Sequence, residues 1–178
     1  MAKHITRQLI PLNIAVLTVS DTRNEADDSS GNYLVESVRD TGHQVAEKCI
    51  CIDDVYKIRA HLSRWIADDA TQVVLITGGT GFTSRDSTPE AVTPLLDKVV
   101  EGFGELFRQV SFEEIGSSTI QSRALAGMAN KTLIFCMPGS NNACQTAWQK
   151  IIMQQLDSRN KPCNFAPHLK NINLNSGQ

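Results

Sequence analysis

Residues 72–81 read QVVLITGGTG. After Gln72 the run is apolar and largely β-branched as far as Thr77, and Gly78-Gly79 ends it. A continuous apolar run of this length fits a strand covered on both faces, the usual state of a parallel strand. Two further runs lie upstream. Asn13 to Val19 (NIAVLTV) is apolar and stops at Ser20-Asp21. Gln44 to Ile52 (QVAEKCICI) alternates in polarity, as a half-buried strand does. Between the runs lie helical signals. Ser29 and Ser30 can cap a helix that carries Leu34, Val35 and Val38 on one face. Asp53 or Asp54 can cap a second, with Val55, Ile58, Leu62, Trp65 and Ile66 at helical spacing. Strand, helix, strand, helix, strand in this order predicts right-handed parallel crossovers. The expected fold class is therefore α/β, a three-layer sandwich around a mostly parallel sheet.

Downstream the pattern is less regular. Phe103, Leu106, Phe107 and Val110 have the spacing of one helix face, so a helix is expected after Gly102. Ala124–Met128 and Thr132–Met137 flank Ala129-Asn130-Lys131 and read as a hairpin or as two tightly joined strands. Pro138-Gly139-Ser140 breaks the second piece, and a last helix carries Trp148, Ile151, Ile152 and Leu156. Phe103, Phe107 and Trp148 suit either a core or an interface. From Lys161 onward the chain is rich in Asn, Pro and Lys and is expected to fray. Neither an internal repeat nor a linker is visible. The expectation is a single domain over residues 1–178, with an ordered core over about 11–170 and flexible termini.

Composition narrows the function. The 178 residues carry 17 basic and 19 acidic side chains, a net charge of -2, with no basic block. This argues against a nucleic-acid binder or a polybasic membrane-surface protein. No apolar run approaches the ~18 residues of a membrane span, and the N-terminal MAKHITRQLIPLN lacks the apolar stretch of a secretory signal. The five cysteines include no CxxC, so neither a zinc knuckle nor a dithiol redox pair is readable. A cytoplasmic location is expected. Cys49 and Cys51 read as small buried hydrophobes, and the four dispersed histidines as surface or capping residues.

In open parallel sheets, ligands bind beyond the carboxyl ends of the strands, where strand order reverses. Four features fall at such ends: Ser20-Asp21, Asp53, Gly78-Gly79-Thr80-Gly81 and Pro138-Gly139-Ser140. Gly78, Gly79 and Gly81 allow positive φ and let backbone N–H groups approach an anion, although a plain strand-to-loop turn has the same composition. The loop is neither a P-loop (GxxxxGK followed by Ser or Thr) nor the dinucleotide fingerprint GxGxxG. Thr88 with Pro89 can start a helix, and Ser87 to Glu90 fits a capping box in a competing register. Asp86, just before it, suits either an Asx-turn or a Mg²⁺ ligand beside phosphates. Arg85 can face a phosphate or solvent. Ser140 can cap the last helix, whose start is also a phosphate site. There is no Gly-x-Ser-x-Gly elbow, so a hydrolase nucleophile is unsupported.

Taken together, TVSDTR (18–23), DDSSGNYL (27–34), VVLITGGTGFTSRDSTPEA (73–91), EGFGELFRQVSFEEIGSSTIQSRALAG (101–127) and KTLIFCMPGS (131–140) closely resemble the MoaB/MogA family of molybdenum cofactor biosynthesis proteins, on its MoaB side. The resemblance runs from about Pro11 to Lys170. It implies a molybdopterin-binding α/β fold assembled as a homotrimer or homohexamer. It also implies molybdopterin and ATP as ligands, Mg²⁺ with the ATP, and other proteins of the pathway as partners. MogA-like members adenylylate molybdopterin: its terminal phosphate attacks the α-phosphate of MgATP, releasing pyrophosphate. Two family carboxylates tied to that chemistry map onto Asp86 and Asp53, as catalytic groups and as Mg²⁺ ligands, with the Asp53-Asp54 pair leaving the register open by one. Gly78, Gly79, Gly81, Gly139 and Ser140 are the implied phosphate binders. Ser20, Asp21, Thr80, Ser117, Ser118 and Pro138 are implied pocket members. A non-catalytic molybdopterin-binding or assembly protein of the same pathway is the alternative.

Overall fold

The computed structural model describes residues 8–172. Its six-stranded sheet has the order β2-β1-β3-β6-β5-β4. The strands are β1 (Asn13–Val19), β2 (Gln44–Cys51), β3 (Val73–Thr77), β4 (Lys98–Val99), β5 (Leu125–Ala129) and β6 (Thr132–Met137). β1 pairs in parallel with both β2 and β3, and β3 in parallel with β6. β5 and β4 close that side antiparallel. The expected hairpin is thus β5–β6, turning through Asn130 and Lys131, both at positive φ. The two-residue strand β4 had no sequence signal.

Alternation along the buried strands assigns one helix layer to each face. Ile14 and Val16 of β1, Val73 and Leu75 of β3, and Leu133, Phe135 and Met137 of β6 pack on one side. They meet α1 (Ser29–Asp40), α4 (Glu101–Ile115) and the C-terminal helical stretch. That stretch runs as α5 (Asn141–Ala147), a π-helical turn (Trp148–Ile152) and α6 (Met153–Leu156). Ala15, Leu17, Val74, Ile76, Ile134 and Cys136 face the other way, against α2 (Val55–Ala67) and the short α3 (Thr88–Val92). Each fully buried Leu, Ile or Phe contributes on the order of 1.5–3 kcal/mol, so the two apolar layers dominate stability. Phe103, Phe107 and Trp148 all belong to the core.

Several local expectations are corrected. The cap of α1 is Asp28, whose Oδ1 accepts from the Gly31 amide at 3.0 Å, rather than Ser29 or Ser30. Of the two aspartates expected to cap α2, Asp54 does so, accepting from the Tyr56 and Lys57 amides. Of the two registers offered for α3, the structure takes the one with Ser87 before the helix, although its hydroxyl makes no cap bond. α4 begins at Glu101, before Gly102. His43 is buried, its Nδ1 accepting from the Leu12 amide at 3.2 Å. The segment from Lys161 does not fray within the described residues: Ala166, Leu169 and Lys170 are buried. The expectation of flexible termini concerns residues mostly outside those described.

Candidate active site

After β1 the chain crosses α1 to β2 on one side, and α2 then carries it to β3 on the other side of β1. Strand order therefore reverses between β1 and β3, the position at which an open α/β sheet presents a crevice. A cavity of about 620 Å³ lies there. Its walls include Ser20 after β1, Gly78-Gly79-Thr80-Gly81 and Asp86 after β3, Pro138-Gly139-Ser140 after β6, and Phe107, Glu114 and Ser118 from α4 and the turn that follows. Asp21, Asp53 and Ser117 do not line it.

Backbone geometry accounts for the glycines. Gly78 and Gly79 have φ of 103° and 66°, which side-chain-bearing residues rarely adopt. A Cβ on Gly79 would lie 2.6 Å from Asp53 Oδ2. Gly81 is different: its φ is not positive, but a Cβ there would meet Asp86 Oδ2 at 2.8 Å. The Thr88 hydroxyl donates to the Gly78 carbonyl at 2.9 Å and ties the loop to α3. Of the three glycine amides expected to bind phosphate, Gly78 N is committed to Met137 O at 3.0 Å, and the Gly81 amide helps lower the pKa of the Asp86 carboxylate. Gly79 N and Thr80 N have no protein acceptor among the described residues.

The two carboxylates are held differently. Asp86 Oδ2 accepts from the Thr83 amide at 2.8 Å and the Thr83 hydroxyl at 2.6 Å. Burial pushes its pKa up, but Thr83, the Gly81 amide and the Arg123 charge outweigh that, and the group lies below the ordinary aspartate value. Asp86 is thus an ionised carboxylate on the cavity wall. Asp53 is only 8% exposed and stands one layer back, behind Gly79. Its Oδ1 accepts from the Ser87 amide at 2.9 Å and from the Ser87 hydroxyl, while Oδ2 faces Gly79. Asp53 N donates to Asp21 Oδ1, and Arg85 grips Asp21 with two bonds of 2.8 and 2.9 Å. The Arg85 bonds and the Asp53 amide hold Asp21 below the usual aspartate range. Of the neighbouring pair, then, Asp53 meets the glycine loop and Asp54 caps α2 on the surface.

Residues 15–158 match the family described as "Probable molybdopterin binding domain". The chain belongs to this family. Among the relatives of this molybdopterin-binding-domain chain is "Molybdenum cofactor biosynthesis protein B" of Escherichia coli K12, 61% identical over 166 residues, covering 93% of this chain and 98% of the relative. The Bacillus subtilis protein of the same name is 42% identical over 142 residues, covering 79% of this chain and 84% of the relative. Among solved structures, "tungsten cofactor synthesizing protein MoaB" from Pyrococcus furiosus superposes with a TM-score of 0.73 at 36% identity, covering 79% of this chain and 90% of that one.

In this family member two arginines, quoted above only within motifs, also shape the site. Arg123 donates to Gly81 O at 2.8 Å and to Asp86 O at 2.9 Å, reaches the Glu90 carboxylate, and lies over the Phe82 ring. It fixes both ends of the 81–86 segment. It comes from the chain ahead of β5, 42 positions from Gly81, and no local pattern announces such a contact. Arg23 also lines the cavity, and its only sequence signal was its place in TVSDTR. By contrast Cys49 and Cys51 are pushed by burial to about 11, which leaves them unreactive thiols.

Proposed function

We propose that the chain serves molybdenum cofactor biosynthesis in the cytoplasm by binding molybdopterin in this cavity and adenylylating it with MgATP, as a homotrimer or homohexamer. The observation that carries the reading is that Gly79, Thr80, Asp86 and Ser140 share one cavity wall at the switch between β1 and β3, in a chain of the probable molybdopterin-binding family. Both reactants are polyanions, so the site must align phosphates and offset their repulsion. The uncommitted amides of Gly79 and Thr80 are rigid donors that suit a phosphoryl oxygen. Molybdopterin's phosphate attacks the α-phosphorus of ATP and pyrophosphate leaves, so no covalent protein nucleophile is required.

Mg²⁺ fits the donor set: a hard cation bound together with phosphates takes one or two carboxylates. Asp86, ionised on the wall, and Asp53, with Oδ2 turned toward Gly79, are the residues that would hold it. Bound with ATP, the ion supplies charge neutralisation on the phosphates. Phe112, Ile115 and Ile120 are large apolar side chains left exposed, which supports burial against further copies of the chain.

One observation favours the non-catalytic reading. Asp53 lies off the wall, and one of its oxygens is already engaged by Ser87. Incubation of the pure protein with molybdopterin and MgATP separates the two readings. Adenylyl-molybdopterin and pyrophosphate are the expected products, and Asp86→Asn is expected to stop their formation while keeping molybdopterin affinity within about severalfold. Tight molybdopterin binding without nucleotide turnover would establish the non-catalytic reading.

A further inference from the structure

Among the described residues lining the cavity, Arg23 is the one cation; the two anions are Asp86 and Glu114. Glu114 is already occupied, accepting from Asn142 at 2.9 Å and from Thr146 at 3.0 Å, with Lys150 at 3.3 Å. Arg23 is held but not used up. Its NH2 donates to Gly139 O at 2.9 Å and its NH1 to the Ser30 hydroxyl. Both acceptors are neutral. The buried carboxylate Asp28 forms a longer ion pair with it at 3.8 Å, without a hydrogen bond, and also meets Lys48 at 3.0 Å. Lys48 also pairs with Glu25 at 2.7 Å. Arginine has five N–H donors, and two of these are committed among the described residues. The side chain keeps 28% of its surface. It bridges the loop after β1 to the loop after β6, across the mouth of the switch point, so its position is fixed before any ligand arrives.

We infer that Arg23 binds the phosphate of the cavity's ligand and makes the site selective for a phosphorylated pterin over its dephosphorylated form. The inference rests on the molybdopterin reading above and deepens it. A phosphate monoester carries a charge near ~-2 at neutral pH. In a cavity walled by Asp86 and Glu114, a fixed cation favours entry of such a group. A guanidinium with three uncommitted N–H donors in a planar fork suits phosphate even beside the Asp28 carboxylate.

Calorimetry with molybdopterin, dephosphorylated molybdopterin and inorganic pyrophosphate tests this on the full chain. Arg23→Gln is expected to weaken molybdopterin roughly ten- to a hundredfold, the value of a charge-assisted bond, and dephosphorylated molybdopterin less than about twofold. Arg23→Lys keeps the charge without the fork, so it is expected to fall between wild type and Arg23→Gln. It carries the test if Arg23→Gln fails to fold. Equal losses for both pterins would overturn the inference and leave Arg23 a structural tie, as would an unchanged affinity for molybdopterin. If the wild type binds pyrophosphate but neither pterin, the molybdopterin reading fails instead. Arg23 then stands as an anion site only if its substitution abolishes pyrophosphate binding. A wild type that binds none of the three overturns both.

Discussion

At the amino ends of β1 and β3, buried polar side chains are saturated by the chain itself; at the carboxyl ends, they are left with capacity to spare. The amino-end group centres on Lys170, 7% exposed, whose Nζ donates to the carbonyls of Ile66 at 3.0 Å and Asp68 at 2.5 Å at the end of α2. Gln72 accepts from the Asn13 amide at 3.0 Å and donates to Lys170 O at 2.9 Å. Among the described residues these groups are bonded to the chain itself. At the carboxyl ends Arg23 has uncommitted donors, Asp53 turns one oxygen to Gly79, and two loop amides lack protein acceptors. Satisfied polar groups hold a fold together, whereas partly satisfied ones in a cavity are available for binding.

The contrast predicts opposite phenotypes. Lys170→Met leaves buried carbonyls at the C-terminus of α2 without their donor. We expect a loss of about 2–4 kcal/mol in urea unfolding, with molybdopterin affinity unchanged in the fraction that remains folded. Arg23→Gln is expected to cost no more than about 1 kcal/mol of stability while losing ligand. A Lys170→Met protein as stable as Arg23→Gln would break the comparison.

The same two regions differ in how far the sequence disclosed them. The strands that carry the site were legible because burial on both faces leaves continuous apolar runs, as in VVLIT, and because glycines mark where β3 ends. Ser20, Gly78–Gly81, Asp86, Ser118 and Pro138–Ser140 do meet in one cavity. Asp21 and Asp53 stand off its wall, since a strand-end position specifies an edge but not a side-chain direction, and Ser117 stands off it in the turn after α4. The amino-end clamp was illegible. Lys170 looked like part of a polar tail, and its carbonyl partners at Ile66 and Asp68 lie more than a hundred positions away. The cap of α1 was misplaced for a related reason. Asp28 caps the helix and also accepts from the Thr18 hydroxyl at 2.9 Å and pairs with Lys48, demands that a local motif does not record.

Arg123 lies between the extremes, with every guanidinium nitrogen engaged yet beside the site. Its side chain is 24% exposed and ties Gly81, Asp86 and Glu90 together. Arg123→Ala is expected to cost about 1–2 kcal/mol in stability and also to weaken molybdopterin about tenfold, because the segment carrying Asp86 loses its fixed shape. Chemical denaturation and calorimetry on the same preparation check both. A stability loss with no affinity change would mean that Thr83 alone keeps Asp86 in place.

The smallest effect belongs to a group that is satisfied but exposed. Glu47 on β2 accepts from Trp65 Nε1 at 2.8 Å and pairs with Arg64 at 2.8 Å. The Arg64 bond chiefly, with help from Cys49 and Trp65 and against some burial, brings its pKa from 4.5 down to about 2. A carboxylate whose folded pKa is depressed stabilises the fold above its unfolded pKa, and that contribution fades as pH falls toward the folded value. Here the window runs from 4.5 down to about 2. The carboxylate is 36% exposed and its guanidinium partner 54%, so solvent screening cuts the contribution to about 1 kcal/mol. Wild type and Glu47→Gln are therefore expected to differ by about that amount in urea unfolding at neutral pH and to converge as the pH falls through the window. A gap as large as that of Lys170→Met would show that satisfaction alone, rather than satisfaction combined with burial, sets the energetic weight of a polar group in this fold.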